Sequence, residues 1–330
     1  MDFESQAQRR GGVVGPLSAA GPSGRRKERL DLTAMLVLVL LCASWGLQQV
    51  SIKYANQGIS PILQGGVRSI GSTVLIGLWM LVRRQPIWQK DGTLWWGAAA
   101  GIIFSAEFVL IYLGLAYTSA SRAVIFLYTM PFFTAVGARL FLPGERPGLI
   151  QILGFGCAFA GIVAAFSESL GRSTGQGLLG DLMMVGGAIC WSAVTIVVKA
   201  GPLCRITPAK ALVYQLAVSA IILPLVSWVV GEPGFLRLTP IILACLIYQT
   251  VWVAFITYLL WFWLVLTYPA SQLASFVFLP PLFGVISGAL ILDERVTSML
   301  GIALVCVAVG IYLVNRPGVG QAERLLKSDR

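Results

Sequence analysis

From Leu30 onward the chain is a succession of apolar runs, each about as long as a bilayer is thick. Ten can be marked, over residues 32–55, 61–82, 94–116, 121–142, 148–167, 178–199, 208–230, 238–266, 270–292 and 297–314. A spanning helix needs about 20 mostly apolar residues. Lipid cannot satisfy unpaired backbone groups, so such runs fold as helices. The wider composition leaves little alternative: 57% of the 330 residues are hydrophobic, 12% are charged, and the mean hydropathy is +0.82. A soluble domain carries roughly 25% charged residues. The expected fold class is therefore an all-α membrane protein with ten transmembrane helices. The eighth run is the longest, and is expected to tilt or to begin as an interfacial segment. Residues 1–31 and 315–330 are polar and basic, and read as a disordered tail at each end.

The net charge of +10 could point to nucleic acid, but its distribution fits a membrane surface better. The N-terminal tail holds six Lys/Arg, the loop over 83–93 three and the C-terminal tail four, whereas the loop over 56–60 holds none. By the positive-inside rule both termini are cytoplasmic, in agreement with an even number of spans. No nucleic-acid partner is expected; the lipid bilayer is.

The chain also repeats itself. YTSASRAVIFLYTMPFFTAVGARLFLPGERP, from Tyr117 to Pro147, returns as YPASQLASFVFLPPLFGVISGALILDERV, from Tyr268 to Val296. Ala120-Ser121 answers Ala270-Ser271 and Pro131 answers Pro281, both offset by 150. Glu145-Arg146 answers Glu294-Arg295, and Gly161 answers Gly310, offset by 149. The opening helices match as well: Trp45 with Trp191 and Lys53 with Lys199 at an offset of 146, and Pro61 with Pro208 at 147. Each half holds five spans, over 32–167 and 178–314. An odd number turns the second half upside down, giving two inverted five-helix repeats. Glu145 and Glu294 then read as end-markers of helices.

Two five-helix units with Trp inside the first helix and Lys at its end resemble the EamA family of the drug/metabolite transporter superfamily. The proline-containing fourth helix ending in Glu-Arg and the Gly-rich fifth helix strengthen the resemblance. It covers roughly residues 32–314. The second copy departs from the first in Asp293 before its Glu-Arg, and in Trp191-Ser192 where the first has Trp45-Gly46. The resemblance implies a ten-helix carrier, usually an exporter of amino acids or other small metabolites. It implies a cavity surrounded by the first four helices of each half, with the fifth helices outside.

Ionisable side chains inside a membrane helix are functional candidates, because they cost about 2.5–3.5 kcal/mol to insert. Arg68 lies about 12 Å and Glu107 about 14 Å below the outer ends of their antiparallel helices, at 1.5 Å per residue. They can pair as a salt bridge that fixes helix register, or Arg68 can hold a substrate carboxylate and Glu107 take up a proton. Lys53 and Lys199, near helix ends, read as snorkelling charges. Around the charged pair the candidate substrate-binding residues are Trp45 and Gln49 on the first run and Tyr128 on the fourth. In the second half they are Trp191, Tyr214, Gln215, Tyr248, Trp252 and Gln272. Trp88, Trp95 and Trp96 read as an interfacial belt. Pro131, Pro280 and Pro281 break backbone hydrogen bonds in corresponding helices and are candidate gates.

There is no histidine, and the six cysteines are scattered without CxxC spacing, so neither a metal site nor a cofactor is expected. No nucleophile–base set is evident, and no GxxxxGK[ST] loop for direct ATP drive, so the reading is a carrier and not an enzyme. The expected function is secondary export of amino acids or related metabolites from the bacterial inner membrane by alternating access, with protons as a candidate coupling ion. The alternatives are a broad drug exporter and a non-transporting receptor or scaffold. Oligomeric state is left open.

Overall fold

The computed structural model describes residues 27–86, 91–118, 120–142, 147–165, 175–292 and 298–315. Among these the chain is helical, and the nearest approach to a sheet is one isolated bridge between Ile59 and Phe235. The helices are α1 (Leu32–Ala55), α2 (Pro61–Val82), α3 (Leu94–Tyr117), α4 (Ala120–Leu127), α5 (Met130–Phe141) and α6 (Leu149–Ala165). They continue with α7 (Gly175–Ala200), α8 (Pro208–Val230), α9 (Pro240–Thr267), α10 (Ala270–Phe276), α11 (Pro280–Leu292) and α12 (Ser298–Asn315). Every apolar run thus has a helical counterpart. Six stretches of the described residues are long and apolar enough to cross a membrane, namely Leu32–Ile52, Pro61–Val82, Leu94–Gly114, Gly177–Ala200, Pro208–Val230 and Pro240–Thr267. The remaining runs give shorter apolar helices. The Glu145-Arg146 and Glu294-Arg295 helix ends, Trp88, and the tails over 1–26 and 316–330 lie outside the described residues.

Helix starts are set locally. Asp31 accepts from Ala34 N at 2.8 Å at the start of α1, Thr207 caps α8, and Thr239 caps α9; α2, α8 and α9 each begin on a proline. Gly231, at φ 77°, closes α8 in the left-handed conformation that glycine adopts without strain.

The fourth and ninth runs differ from expectation. Each is two helices instead of one kinked helix. A proline ring clashes with the carbonyl four residues before it. Four residues before Pro131 is Leu127, where α4 ends, and four before Pro280 is Phe276, where α10 ends. The carbonyls freed at the breaks find other donors: Thr129 Oγ1 donates to Phe126 O at 2.6 Å, and Cys42 Sγ to Phe276 O at 3.3 Å. The eighth run is one continuous rod, α9, wound as a π-helix over Tyr248–Thr257.

Packing between the halves comes in exchanged pairs. Helix α3 lies along α7 as α1 lies along α9; α5 meets α7 as α1 meets α11; α3 meets α8 as α2 meets α9. The two counterparts α2 and α8 pack on each other, and so do α6 and α12. The last pair crosses at its glycines, since a Cβ on Gly154 would stand 2.8 Å from Gly310 O, and one on Gly310 2.6 Å from Gly154 O. The helix junctions at the two ends are also matched. Glu232 accepts from Ile62 N and Leu63 N, both at 3.0 Å, at the start of α2. Gln85, 147 positions earlier, accepts from Thr207 Oγ1 at 3.3 Å at the start of α8. Beside it Lys210 Nζ pairs with Asp91 at 2.6 Å. Burial works against the Asp91 charge, but the hydrogen bonds from Lys210 and Thr93 outweigh it and hold the carboxyl at about 2.

Lys199 does not snorkel. Its side chain is buried, and Nζ donates to Val265 O at 3.0 Å and to Tyr268 O, satisfying carbonyls left over at the C-terminal end of α9. Trp95 and Trp96 stand exposed at the start of α3, and Trp228 near the end of α8.

Candidate functional site

An aromatic wall runs through the centre of the bundle. On α3, Phe104, Phe108 and Tyr112 follow one another at helical spacing, with ring centroids 4.9 and 6.1 Å apart. Phe104 meets Tyr258 of α9 at 6.2 Å, and Tyr258 meets Trp45 of α1 at 6.3 Å. Trp45 continues to Trp261 at 5.4 Å and to Trp191 of α7 at 6.1 Å. Tyr128, in the break between α4 and α5, closes the series 6.3 Å from Trp191. Trp45 and Trp191 are repeat counterparts, so their contact lies on the seam between the halves. The indole of Trp45 is fixed there by donating to Thr257 Oγ1 at 3.0 Å, and Thr257 in turn donates to Val253 O.

Arg68 of α2 reaches this wall with no exposed surface. Its guanidinium carbon sits 4.2 Å from the Phe108 ring centroid and 5.8 Å from that of Tyr258. None of its three side-chain nitrogens has a hydrogen-bond partner among the described residues. Glu107 of α3, 5% exposed, lies within electrostatic reach, yet it makes no ion pair with Arg68 and its Oε2 is also without a partner. The two residues are therefore neighbours but not a closed salt bridge. Cation–π contacts yield about 0.5–2 kcal/mol each. A buried ion left unpaired costs several kcal/mol. Two ring contacts do not cover that cost, and an anion placed on the guanidinium would.

The other sequence candidates fall in three places. Tyr248 and Trp252 tie α9 to α1: the hydroxyl donates to Ser44 O and the indole to Ser44 Oγ, both at 2.9 Å. Gln249 joins the same seam through Ser51. Tyr214 and Gln215 lie on α8. The Tyr214 hydroxyl is 3.1 Å from Thr93 Oγ1, which donates to Asp91, so Tyr214 is the donor; its ring fills the space opposite Gly97. Gln215 is fully buried, with Nε2 on Ala211 O and Oε1 without a partner among the described residues. Gln272 is apart from the wall: it accepts from Leu30 N and donates to Glu28 O, holding the segment before α1 against the start of α10. The Gln49 side chain lies outside the described residues. Pro131, Pro280 and Pro281 are buried at the two helix breaks, and Tyr128 ties the first of these to the wall.

Sequence reasoning did not single out Phe104, Phe108, Tyr112, Tyr258 or Trp261. The i, i+4 spacing of the first three was the available signal.

A bundle of apolar helices enclosing a carboxyl and a cation without a hydrogen-bond partner among the described residues, on the seam between two like halves, is the frame expected of a multi-pass membrane transporter. The family follows from comparison with known proteins. The sequence model of the EamA-like transporter family matches residues 32–167 and again 178–316, and this chain belongs to that family. It is 23% identical to the uncharacterized transporter YvbV of Bacillus subtilis over 89% of this chain and 94% of that one. It is 26% identical to the "Probable amino-acid metabolite efflux pump" of Escherichia coli, over 85% of this chain and 92% of the pump. A solved crystal structure superposes with a TM-score of 0.73 at 16% identity, covering 88% of this chain and 96% of that one, and shares its fold.

Proposed function

We propose that the chain is a secondary carrier that exports amino acids or related small metabolites by alternating access. In this reading it crosses the bacterial inner membrane ten times as two inverted repeats, with both termini in the cytoplasm. The observation that carries it is Arg68, a buried guanidinium with no hydrogen-bond partner on any nitrogen among the described residues, its carbon 4.2 Å from the Phe108 ring centroid. Such a group selects a carboxylate, and the aromatic wall beside it suits an apolar or aromatic remainder. The name of the Escherichia coli relative points the same way. The exchanged contacts between halves support an inverted pair, because two like units can swap one open end for the other. The paired proline breaks are the candidate gates.

The test is uptake and counterflow in proteoliposomes with a panel of radiolabelled amino acids, with and without a pH gradient. Replacing Arg68 by Gln should lower transport about 10- to 100-fold, the worth of one charge-assisted hydrogen-bond set. Counterflow by no amino acid would refute the substrate class. Wild-type rates in Arg68→Gln would remove Arg68 from the site.

A further inference from the structure

We infer that Tyr112 is a second anchor for the transported substrate: its phenolic hydroxyl donates to the same carboxylate that Arg68 holds. The inference rests on Arg68 being the substrate-binding cation, as proposed above.

Tyr112 is 4% exposed, and its hydroxyl has no hydrogen-bond partner among the described residues. A phenol both donates and accepts, and buried polar atoms of this kind are nearly always paired. An idle buried hydroxyl works against stability, because it has given up water and gained nothing in return. The group therefore needs a use other than holding the fold together.

Three contacts place it beside Arg68. Phe108, one turn before Tyr112 on α3, has its ring centroid 6.1 Å from that of Tyr112 and 4.2 Å from the guanidinium carbon of Arg68. On α2, Gly65 stands three residues before Arg68 and so shares its face. The Tyr112 ring lies directly against Gly65. A Cβ added there would stand 2.7 Å from Cε2 and 3.5 Å from Cζ, the carbon that bears the hydroxyl. Glycine at this position is what lets the ring come so close. Leu223 Cδ1 of α8 reaches within 3.4 Å of the same point and offers nothing polar.

Arg68 and Tyr112 thus occupy neighbouring levels of one contact between α2 and α3, Arg68 beside Phe108 and Tyr112 beside Gly65. One helical turn is about 5.4 Å. Two charge-assisted hydrogen bonds of about 2.7–2.9 Å each, laid end to end, span about the same length. An oxygen between the two levels can accept from a guanidinium N–H on one side and from the phenol on the other. An acceptor is what both groups lack, since the three guanidinium nitrogens and the hydroxyl are all without partners among the described residues. A carboxylate is made of acceptors alone, with about four lone-pair sites, so it can take the guanidinium fork and the phenol together. No proton has to move, and the ammonium of an amino acid plays no part in this contact.

The experiment uses the full chain in detergent and has two parts. The first needs no ligand. Tyr112→Phe removes a hydroxyl that bonds to nothing in the fold, so it should melt no lower than wild type. A clear fall in melting temperature means that the hydroxyl serves the fold, and overturns the inference.

The second part measures binding by titration calorimetry, with L-leucine and with 3-methylbutylamine, which lacks the carboxylate. Tyr112→Phe should weaken leucine binding about tenfold, the order expected of one hydrogen bond to a charged group. It should leave amine binding as in wild type; where the amine binds too weakly to measure, the leucine loss at an unchanged melting temperature decides. Arg68→Gln should weaken leucine binding about 10- to 100-fold. If that variant does not fold, Arg68→Lys, which keeps the charge without the fork, replaces it and should lose part of the affinity. Wild-type leucine affinity in Tyr112→Phe, with the loss confined to the Arg68 variant, overturns the inference and leaves Arg68 as the anchor. Equal losses for leucine and the amine mean that Tyr112 shapes the pocket without touching the carboxylate, and also overturn it. If wild type does not bind leucine, or the Arg68 variants bind it as wild type does, the amino-acid reading fails and this inference falls with it.

Discussion

The crossing of α6 and α12 makes a sharp test of the packing. A Cβ added at Gly310 would stand 2.6 Å from Ala158 Cβ and Gly154 O, and 2.9 Å from Ala158 N. One added at Gly154 would stand 2.8 Å from Gly310 O, 2.9 Å from Val314 Cγ2 and 3.0 Å from Leu313 Cβ. Apart from the Val314 methyl these neighbours are backbone or Cβ atoms, which no rotamer change moves. Carbon atoms pack at about 3.5–4.0 Å, so the helices must part by about 1 Å at the crossing. Overpacking of this kind costs about 1–3 kcal/mol, and the better helix propensity of Ala returns up to about 1 kcal/mol. Gly310→Ala and Gly154→Ala should each destabilise by about 1–2 kcal/mol. Once one methyl has spread the helices, the second enters a gap already opened. The double variant should therefore fall short of the sum by about 1 kcal/mol, within the range seen for neighbouring sites. Equilibrium unfolding in detergent reads these values. Transport per folded molecule should survive, because Phe155, Ala158, Ile162, Ala303 and Val307 belong to a core distinct from the one around Trp45 and Phe108, although Ile125, Phe278 and Leu282 beside the proline breaks share it. Neutral single variants, strict additivity, or lost transport at unchanged stability would refute the reasoning.

Three further outcomes are expected. The depressed Asp91 carboxyl makes its bond to Lys210 a contribution that is full above about pH 4, the ordinary value, and is lost as the pH falls toward about 2. Asp91→Asn should remove that part of the acid sensitivity, seen as a smaller drop in melting temperature over this window than in wild type. Glu232→Ala strips the α2 start of acceptors for two backbone N–H groups and for Ser227 Oγ, and should cost about 1–2 kcal/mol; Glu232→Gln should cost less, by chemical unfolding. Trp252→Phe keeps an aromatic ring but removes the pyrrole part of the indole and with it the donor to Ser44, and should lower stability by about 1–2 kcal/mol.

The helices were legible in the sequence because lipid leaves the backbone one solution; Pro131 and Pro280 mark breaks, whereas Pro224 is carried inside α8 without one. Arg68 and Glu107 were legible by cost, since charges inside apolar runs need a reason. The aromatic wall was not. Helix α3 is apolar on nearly every side, so the i, i+4 spacing of Phe104, Phe108 and Tyr112 does not by itself separate their face from the others. The π-helical turns of α9 change the angular step between residues, which hides where Tyr258 points. Lys199 was misread because its carbonyl partners sit 66 and 69 positions further on, at Val265 and Tyr268. The duplication carries one more consequence for the site. At the offset of 147 that relates Pro61 to Pro208, the counterpart of Arg68 is Gln215. A faithful copy would have buried a second guanidinium in the same bundle, adding an unpaired cation at a further cost of several kcal/mol. The neutral amide keeps a polar group at the equivalent depth without that cost. Among the described residues the two halves thus differ at this position, a buried guanidinium in the first answering to a buried amide in the second.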